Sequence, residues 1–204
     1  MSADHERAGG LLGYQLGAPV TWGVLPSDPV DGPDPAAARQ AISALAADLT
    51  TDAEAASRCE QHLLLAQPDL VAPPHLSVAV WVPDPLLGVP CGVMRAEHLV
   101  GDDGATATAE NLLSALDPTG VEGEVLRYEV ERTRVSAGEA VVVRALVADA
   151  AGALEESVTW FVFPDGCRDA VQLTFATPDL HLAPLLTAYA RAVADNLSVT
   201  ARPA

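Results

Sequence analysis

The chain of 204 residues carries 11 basic and 28 acidic side chains, which gives a formal net charge of −17 at pH 7. This balance argues against binding to nucleic acid phosphates or to anionic lipid, because both need a basic surface. No apolar run approaches the ~18 residues of a membrane span. Half of the residues are hydrophobic, so we expect one globular domain with neither nucleic acid nor membrane contacts.

The N-terminal residues and the cysteines predict a cytoplasmic protein. Residues 1–12 are expected to form a flexible tail before a single α+β domain over residues 13–200. The first residues show neither the basic nor the apolar segment of a secretory signal. The three cysteines are widely spaced and form no CxxC pair (Cys59, Cys91 and Cys167). In a reducing compartment they are typical of small buried hydrophobic residues.

The first predicted elements are an edge strand and a helix. Residues 14–25 are rich in aromatic and β-branched side chains and predict a strand at a sheet edge, where a proline is tolerated. The helix begins after Asp34, a favourable cap, and Pro35 suits its first turn. Apolar residues at helical spacing indicate that one of its faces is buried.

A second helical segment and two strands follow. Thr51 with Glu54 three residues later forms a capping box that restarts or continues the helix to about Gln67, before a proline. The alternation of side chains over 76–82 has the period of a strand and predicts one, and residues 92–100 also favour a strand. A short helix is expected after the turn at 101–104, with Ala109, Leu112, Leu113 and Leu116 at helical spacing, and the segment 117–120 ends it.

The second half of the chain predicts an antiparallel meander of four strands. Four strand-like runs are separated by gaps of a few residues that contain glycine, and such gaps are typical of hairpins. The runs cover residues 124–135, 139–149, 153–163 and 168–176. The first run is expected to bury Leu126, Tyr128 and Val130, and the last to bury Val171, Leu173 and Phe175. The second run is apolar on both sides and is expected nearer the centre of the sheet.

An amphipathic helix from about Leu182 to Leu197 closes the chain. Its apolar residues form one continuous stripe, namely Leu182, Leu185, Leu186, Tyr189, Val193 and Leu197. The apolar face of the meander is the nearest surface that this stripe can cover. The predicted fold class is therefore α+β, with a single antiparallel sheet packed against helices.

Several of these stretches resemble a known family. The segments SVAVWVPD (77–84), WFVFPD (160–165), VQLTFATP (171–178) and LLTAYARAVADNL (185–197) are similar to the strands and final helix of a family of uncharacterised actinobacterial cytoplasmic proteins. That family resembles the PsbP-like α/β sandwich. Its class includes LpqN-type lipoproteins of mycobacteria, a nuclear-import factor that binds a small GTPase, and effector chaperones of type VI secretion. The resemblance implies a PsbP-like fold and non-enzymatic binding of a protein partner.

Two groups of residues invite a chemical or metal-binding interpretation. Cys59 and His62 lie at i and i+3 on a predicted helix and could form a thiolate–imidazole pair or contribute to a metal site. A buried cysteine beside an exposed histidine is the favoured interpretation, because further ligands are scattered. Asp28, Asp31 and Asp34 recur every third residue, but their spacing does not match a calcium loop. A solvated loop that ends in a helix cap is favoured.

Neighbouring acids occur at two places in the predicted strands. Two pairs of acids are candidates for paired carboxylates in acid–base chemistry, namely Glu129 with Glu131 and Glu155 with Glu156. A solvated sheet face with arginines nearby is the favoured interpretation. The segments 102–104 and 165–166 are typical of turns.

The sequence assigns no catalytic, cofactor-binding or metal-binding residue. It contains neither a phosphate-binding glycine loop nor the HExxH and GxSxG patterns. The leading hypothesis is a protein-interaction module, an adaptor or chaperone, whose acidic surface favours a basic partner protein. A second hypothesis is a small-ligand pocket between sheet and helix, lined by Trp160, Phe161 and Tyr189. A third is an enzyme, for which Cys59 and His62 are the only starting point, and the oligomeric state stays open.

Overall fold

The computed structural model describes residues 9–17, 19–71, 77–101, 105–118 and 123–202. Within these ranges the chain forms four helices, α1 (Pro35–Leu49), α2 (Ala53–Val71), α3 (Ala109–Ala115) and α4 (Ala183–Asp195). It also forms nine strands, β1 (Leu11–Gln15), β2 (Trp22–Val24), β3 (Ser77–Trp81), β4 (Gly92–Leu99), β5 (Glu124–Val135), β6 (Gly138–Ala148), β7 (Leu154–Pro164), β8 (Ala170–Thr177) and β9 (Ser198–Ala201). The predicted α+β class is confirmed. None of these helices is long and apolar enough to cross a bilayer.

Seven strands form one antiparallel sheet in the order β2-β3-β4-β8-β7-β6-β5. The four C-terminal strands pair in sequence, β5 with β6, β6 with β7 and β7 with β8, so the predicted meander is confirmed. The other side of β8 pairs with β4, which extends the meander through β3 to the short edge strand β2. Hydrogen bonding between strands distant in sequence thus joins the two halves of the chain.

The prediction of a single sheet is wrong in one respect, because β1 and β9 form a separate two-stranded ribbon. Sequence periodicity gave no sign of β9, which is only four residues long. The amide of Leu11 donates a hydrogen bond to the buried carboxylate of Asp169, and the amide of Arg202 donates one to the carbonyl of Gly10. The predicted flexible tail therefore falls into two parts: residues 1–8 lie outside the described ranges, and residues 9–11 are hydrogen-bonded to distant segments, with Leu12 at a shift in the register.

The predicted buried face of β5 is largely wrong. Leu126 is 50% exposed and Val130 is 41% exposed, and only Tyr128 of the three is half-buried. The register with β6 shifts between Val125 and Arg127, as expected of a bulge. The short helix α3 packs on β6 and β7 together with Tyr128, so the rest of this edge strand has no layer above it.

The two N-terminal helices begin and end at residues that differ in part from the predicted ones. Asp34 caps α1 by accepting a hydrogen bond from the amide of Ala37, as predicted. The predicted cap of α2 at Thr51 is wrong, because the carboxylate of Asp52 accepts from two amides of the first turn. α2 also continues through Pro68 to Val71, one turn beyond the predicted end.

One face of the large sheet, here called the α4 face, carries the main core. Helix α4 and the β1–β9 ribbon cover it, and the buried side chains include Trp81, Trp160, Leu173 and Phe175. Leu186 of α4 is fully buried there, whereas Leu185, expected in the buried stripe, is 44% exposed. The indole of Trp81 stacks on Trp22 at 5.8 Å and meets the ring of Tyr189 edge-on at 5.4 Å. The prediction that the last helix covers the meander is confirmed.

The opposite face, here called the open face, is covered at its two ends. At one end α1 and α2 pack on β3 through Ile42, Cys59 and Leu63 against valines of that strand. Because the α4 face holds Ala79 and Trp81, β3 is buried on both of its faces. At the other end α3 packs on Val141, Val143 and aromatic residues of the meander. The middle of this face lies between the two covered ends.

Candidate binding site

A strip of polar side chains occupies the middle of the open face. Cross-strand partners point to the same side of a sheet, so the register places these side chains together. We call them the polar strip: Arg95 and Glu97 of β4, Gln172 and Thr174 of β8, and Ser157 and Thr159 of β7. All six are half-buried, whereas residues between them on the α4 face, such as Met94 and Leu173, are buried.

Hydrogen bonds hold part of the polar strip in place. The hydroxyl of Thr159 donates to the hydroxyl of Thr174 at 3.3 Å, and the amide nitrogen of Gln172 donates to the same oxygen at 3.1 Å. A hydroxyl has one donor hydrogen and two lone pairs. Gln172 also keeps its carbonyl oxygen as a further acceptor, so the strip can bond to a molecule laid across it.

A cleft of about 340 Å³ opens beside the polar strip, between α2 and the sheet. Its walls are mainly apolar, and we call it the α2 cleft. It is lined by His62, Leu63, Ala66 and Leu70 of α2, by Val80, Val93 and Ala176 of the sheet, and by Pro90, Cys91, Gly92, Glu155 and Pro178. Val93 and Ala176 are partners, and on the same face the next pair is Arg95 with Thr174. The floor of the cleft therefore continues into the polar strip.

The loop between β3 and β4 forms one end of the cleft. Hydrogen bonds and a close backbone approach hold this loop against α2. The guanidinium of Arg58 donates to the carbonyls of Leu87 and Leu86 at 3.0 and 3.1 Å. Gly88 has φ of +61°, and a Cβ there would lie 2.3 Å from the carbonyl oxygen of Ala55. Glycine is thus required both for the backbone conformation and for the close approach to the helix.

The position of Cys91 is set by backbone contacts. Its amide donates to the carbonyl of Trp81 at 2.8 Å, and its carbonyl accepts from the hydroxyl of Thr177 at 2.5 Å. Burial, and secondly the negative charge of Asp179, raise the pKa of the Cys91 thiol. A thiol with a raised pKa stays protonated at neutral pH, so Cys91 is a poor nucleophile and acts as an apolar wall.

Two acidic groups lie at or near the α2 cleft. Glu155 lines it directly, and Asp179 lies near enough to Cys91 to affect its pKa. Asp69 follows His62 by seven residues, which places both on one side of α2. Glu155 thus lines the opening and Asp179 lies near its Cys91 wall, whereas the lining itself contains one basic side chain, His62.

The structure separates Cys59 from His62. Cys59 lies on the buried face of α2, and burial raises the pKa of its thiol, whereas His62 is exposed at the cleft. A poised thiolate–imidazole pair does not form. In the part of the chain that the structure describes, no three His, Cys, Asp or Glu side chains are arranged to hold a metal ion.

The acidic candidates also lie apart. Glu155 and Glu156 point to opposite faces of the sheet, and Glu156 accepts from Arg127 at 2.6 Å. Glu129 and Glu131 are exposed on the edge strand β5. Of the three loop aspartates, Asp34 acts as the helix cap already described.

The predicted pocket lined by Trp160, Phe161 and Tyr189 does not form. Trp160 is buried on the α4 face, where the guanidinium of Arg191 lies 5.3 Å from its ring centroid. Phe161 is its neighbour in β7 and therefore points to the open face, where it packs near α3. The cavity lies instead beneath α2, and the stripe of His62, Ala66 and Leu70 at i, i+4 and i+8 was its one sequence signal.

Sequence reasoning also missed a buried ionic contact that fixes the ribbon. The side chain of Asp169 is 4% exposed, and one of its oxygens lies 2.6 Å from the amide of Leu11 and 3.0 Å from the Nε2 atom of His98. Burial acts to raise the pKa of Asp169, but the Leu11 amide, His98 and the charge of Arg168 together outweigh it and lower that pKa. This group anchors β1 to the sheet.

Comparisons with known proteins place the fold but not the activity. No protein-family model matches the chain, and no curated protein matches its sequence. Among solved structures, the fold is similar to that of LpqN, a Mycobacterium tuberculosis protein involved in cell envelope biogenesis. The match has a TM-score of 0.50 at 13% identity and covers 96% of this chain and 87% of LpqN. A Pseudomonas aeruginosa protein of unknown function aligns over 64% of this chain and 77% of its own length, with a TM-score of 0.38 and 13% identity.

The chain thus has an α+β fold in which helices pack on both faces of an antiparallel sheet. It is, more narrowly, an LpqN-like fold. At 13% identity this likeness extends to the fold alone.

Proposed function

We propose that this protein is a non-enzymatic binding module that holds a partner protein on the open face, in the role of an adaptor or chaperone. The observation that carries the proposal is the continuity of the polar strip with the α2 cleft. Apolar contacts at a central pocket with hydrogen-bonding groups beside it are typical of protein interfaces. The raised thiol pKa values of Cys59 and Cys91 fit a binding role better than covalent catalysis.

Site-specific crosslinking tests this proposal. A photoreactive benzoylphenylalanine at position 62, at the cleft, is compared with the same residue at position 47, an exposed alanine of α1 that does not line the cleft. We expect one protein, identified by mass spectrometry, to be crosslinked repeatedly from position 62 at about 0.15 M ionic strength and not from position 47. No crosslinked protein, or the same set from both positions, contradicts the proposal.

The cleft also supports a second candidate function, the binding of a small ligand. Its volume of about 340 Å³ lies at the lower end of the ~300–1,000 Å³ of small-molecule sites. Native mass spectrometry of the protein purified from its own cells tests this candidate. A bound small molecule that the Ala66→Leu variant lacks supports it, and an unloaded wild-type protein opposes it.

We propose further that the protein acts in the cytoplasm as a member of the actinobacterial family that it resembles. Its three cysteines are free, which fits a reducing compartment. The envelope role in the description of LpqN belongs to that protein. Cell fractionation tests the location, and recovery in an envelope fraction would contradict it.

A further inference from the structure

We infer that the α2 cleft takes a hydrophobic side chain from a basic, extended segment of the partner, and that the carboxylates at its mouth pair with arginine or lysine beside that side chain. This inference rests on the proposed function and names the chemistry of the partner. Three features carry it: the apolar walls of the cleft, the acidic groups at its mouth and the length of the polar strip.

The walls favour an apolar side chain. Leu63, Leu70, Val80 and Val93 line the cleft, and the thiol of Cys91 adds a further uncharged wall. A volume of about 340 Å³ is ample for a side chain of leucine or phenylalanine size. A charged head group placed among these residues would lose water without gaining a partner, so charge belongs at the mouth.

The mouth favours a cation. Glu155 lines it, and Asp179 lies near enough to the Cys91 wall to affect the pKa of that thiol. The single arginine of α2, Arg58, is already bound to Glu54 at 2.6 Å and to two carbonyls of the loop. In the polar strip Arg95 is accompanied by Glu97, two residues away on the same face, so the strip adds no net positive charge.

The net charge of the whole molecule is also negative. Its formal net charge is −17, which speeds the approach of a basic partner and repels an acidic one. The cleft therefore differs from a neutral hydrophobic pocket in the partners that it excludes. A segment with an apolar side chain but acidic neighbours would fit the walls and be rejected at the mouth.

The polar strip favours a peptide over a small amine. It crosses three neighbouring strands, β4, β8 and β7, at about 4.8 Å per strand, which gives a width of about 10 Å. An extended chain rises about 3.3 Å per residue, so about three residues beyond the anchor can lie across it. The side chains of Ser157, Gln172 and Thr174 are placed to bond to the backbone of such a segment.

Fluorescence anisotropy with labelled peptides tests the inference. The probe is Gly-Ser-Arg-Leu-Arg-Ser-Gly, and its two controls replace leucine by alanine or both arginines by glutamate. We expect each control to bind at least about tenfold more weakly, since a buried anchor and its charged neighbours are typical hot spots. Isoamylamine, a small apolar amine, is the competitor, and we expect it to displace the probe only at concentrations far above those of the peptide.

Protein variants locate the binding. Ala66→Leu narrows the cleft from the helix side at little cost in helix propensity, and Ala47→Leu makes the same change on α1 away from it. We expect a loss of about tenfold or more for Ala66→Leu and no change beyond twofold for Ala47→Leu, with equal thermal unfolding curves. Glu155→Gln should lower the affinity for the probe peptide and make that affinity depend less on salt concentration. Glu124→Gln on β5 should change neither.

Several results would overturn the inference. Equal binding of the glutamate peptide, an Ala66→Leu variant that binds as the wild type does, or isoamylamine that competes as well as the peptide each contradict it. If no peptide binds while position 62 still crosslinks one partner protein, the inference fails and the proposed function stands. If crosslinking also fails, both are wrong.

Discussion

The buried carboxylate of Asp169 gives a sharp prediction about what holds the N-terminal strand. Asp169→Asn keeps the size of the side chain but removes its charge and one acceptor oxygen. In the wild type one oxygen serves both the Leu11 amide and His98, and the other lies 3.5 Å from the Nε atom of Arg168. An asparagine that turns its amide nitrogen toward Arg168 keeps both bonds of the other oxygen, but as bonds to a neutral acceptor, and it sets a donor against a cation; the reverse orientation breaks the bond from Leu11.

The magnitude follows from the burial and the number of bonds. Each hydrogen bond to a charged group contributes about 1.5–3 kcal/mol, and this side chain is 4% exposed, so water replaces little of what is lost. We expect Asp169→Asn to lower the free energy of unfolding by about 2–4 kcal/mol at pH 7. The matched control is Asp165→Asn, whose ion pair with Arg134 is 66% exposed on both sides. Its effect should stay within about 0.5 kcal/mol.

The pH dependence has a definite sign. The pKa of Asp169 is lower in the folded protein than in the unfolded chain, where a value near ~3.9 applies. The carboxylate therefore stabilises the fold fully above the unfolded pKa, and this contribution is lost as the pH falls through the folded pKa. The difference between wild type and Asp169→Asn should be largest at neutral pH and shrink in acid.

Urea unfolding at several pH values measures both effects, and hydrogen exchange of the Leu11 amide shows whether the ribbon opens first. A variant within about 0.5 kcal/mol of the wild type at pH 7 would refute the assigned role of the carboxylate. A stability difference that stays constant from neutral pH to acid would refute the pKa argument.

Three further predictions concern single residues. Asp52→Ala should cost about 1 kcal/mol in urea unfolding because it removes the cap of α2, whereas Thr51→Ala should have little effect; equal losses would contradict the assignment. Leu186→Ala should lower the free energy of unfolding by about 2–5 kcal/mol, since this side chain is fully buried. Leu185→Ala should lower it by under about 1 kcal/mol, since that side chain is 44% exposed. Thermal or urea unfolding measures both. The Cys91 thiol should react slowly with iodoacetamide at pH 7 and faster as the pH rises, by mass spectrometry, because its pKa is raised; fast reaction at pH 7 would contradict this.

The elements that the sequence predicted well are those whose environment repeats along the chain. In β8 the buried residues Val171, Leu173 and Phe175 alternate with half-buried ones, and in α4 the stripe recurs at helical spacing. When the same layer covers one face of a strand or helix along its whole length, the apolar residues recur at one regular spacing in the sequence. β3 departs from its pattern because helices cover both of its faces, and β5 departs because α3 is too short to reach its full length.

The features that the sequence did not predict depend on contacts between distant segments. Gln67 is fully buried in α2, where its amide donates to the carbonyls of Pro26 and Asp28 and its oxygen accepts from the amide of Val30. A lone glutamine on a helix gives no sign that it ties down a loop about forty residues earlier. The α2 cleft is similar, because its walls come from segments 62–70, 90–93 and 176–178 and from residues 80 and 155.

The edge strand β5 has a consequence for the protein at high concentration. Its twelve residues include Glu129, Glu131 and Arg132, with further charges along the rest of the strand. If two copies aligned their edges symmetrically about Glu131 or about Arg132, that residue would face its own copy. An alignment about Val130 would set Glu129 against Glu131, and like charges directly opposite each other repel. Growth of the sheet from one molecule into the next, the first step toward a fibril, is therefore disfavoured at this edge.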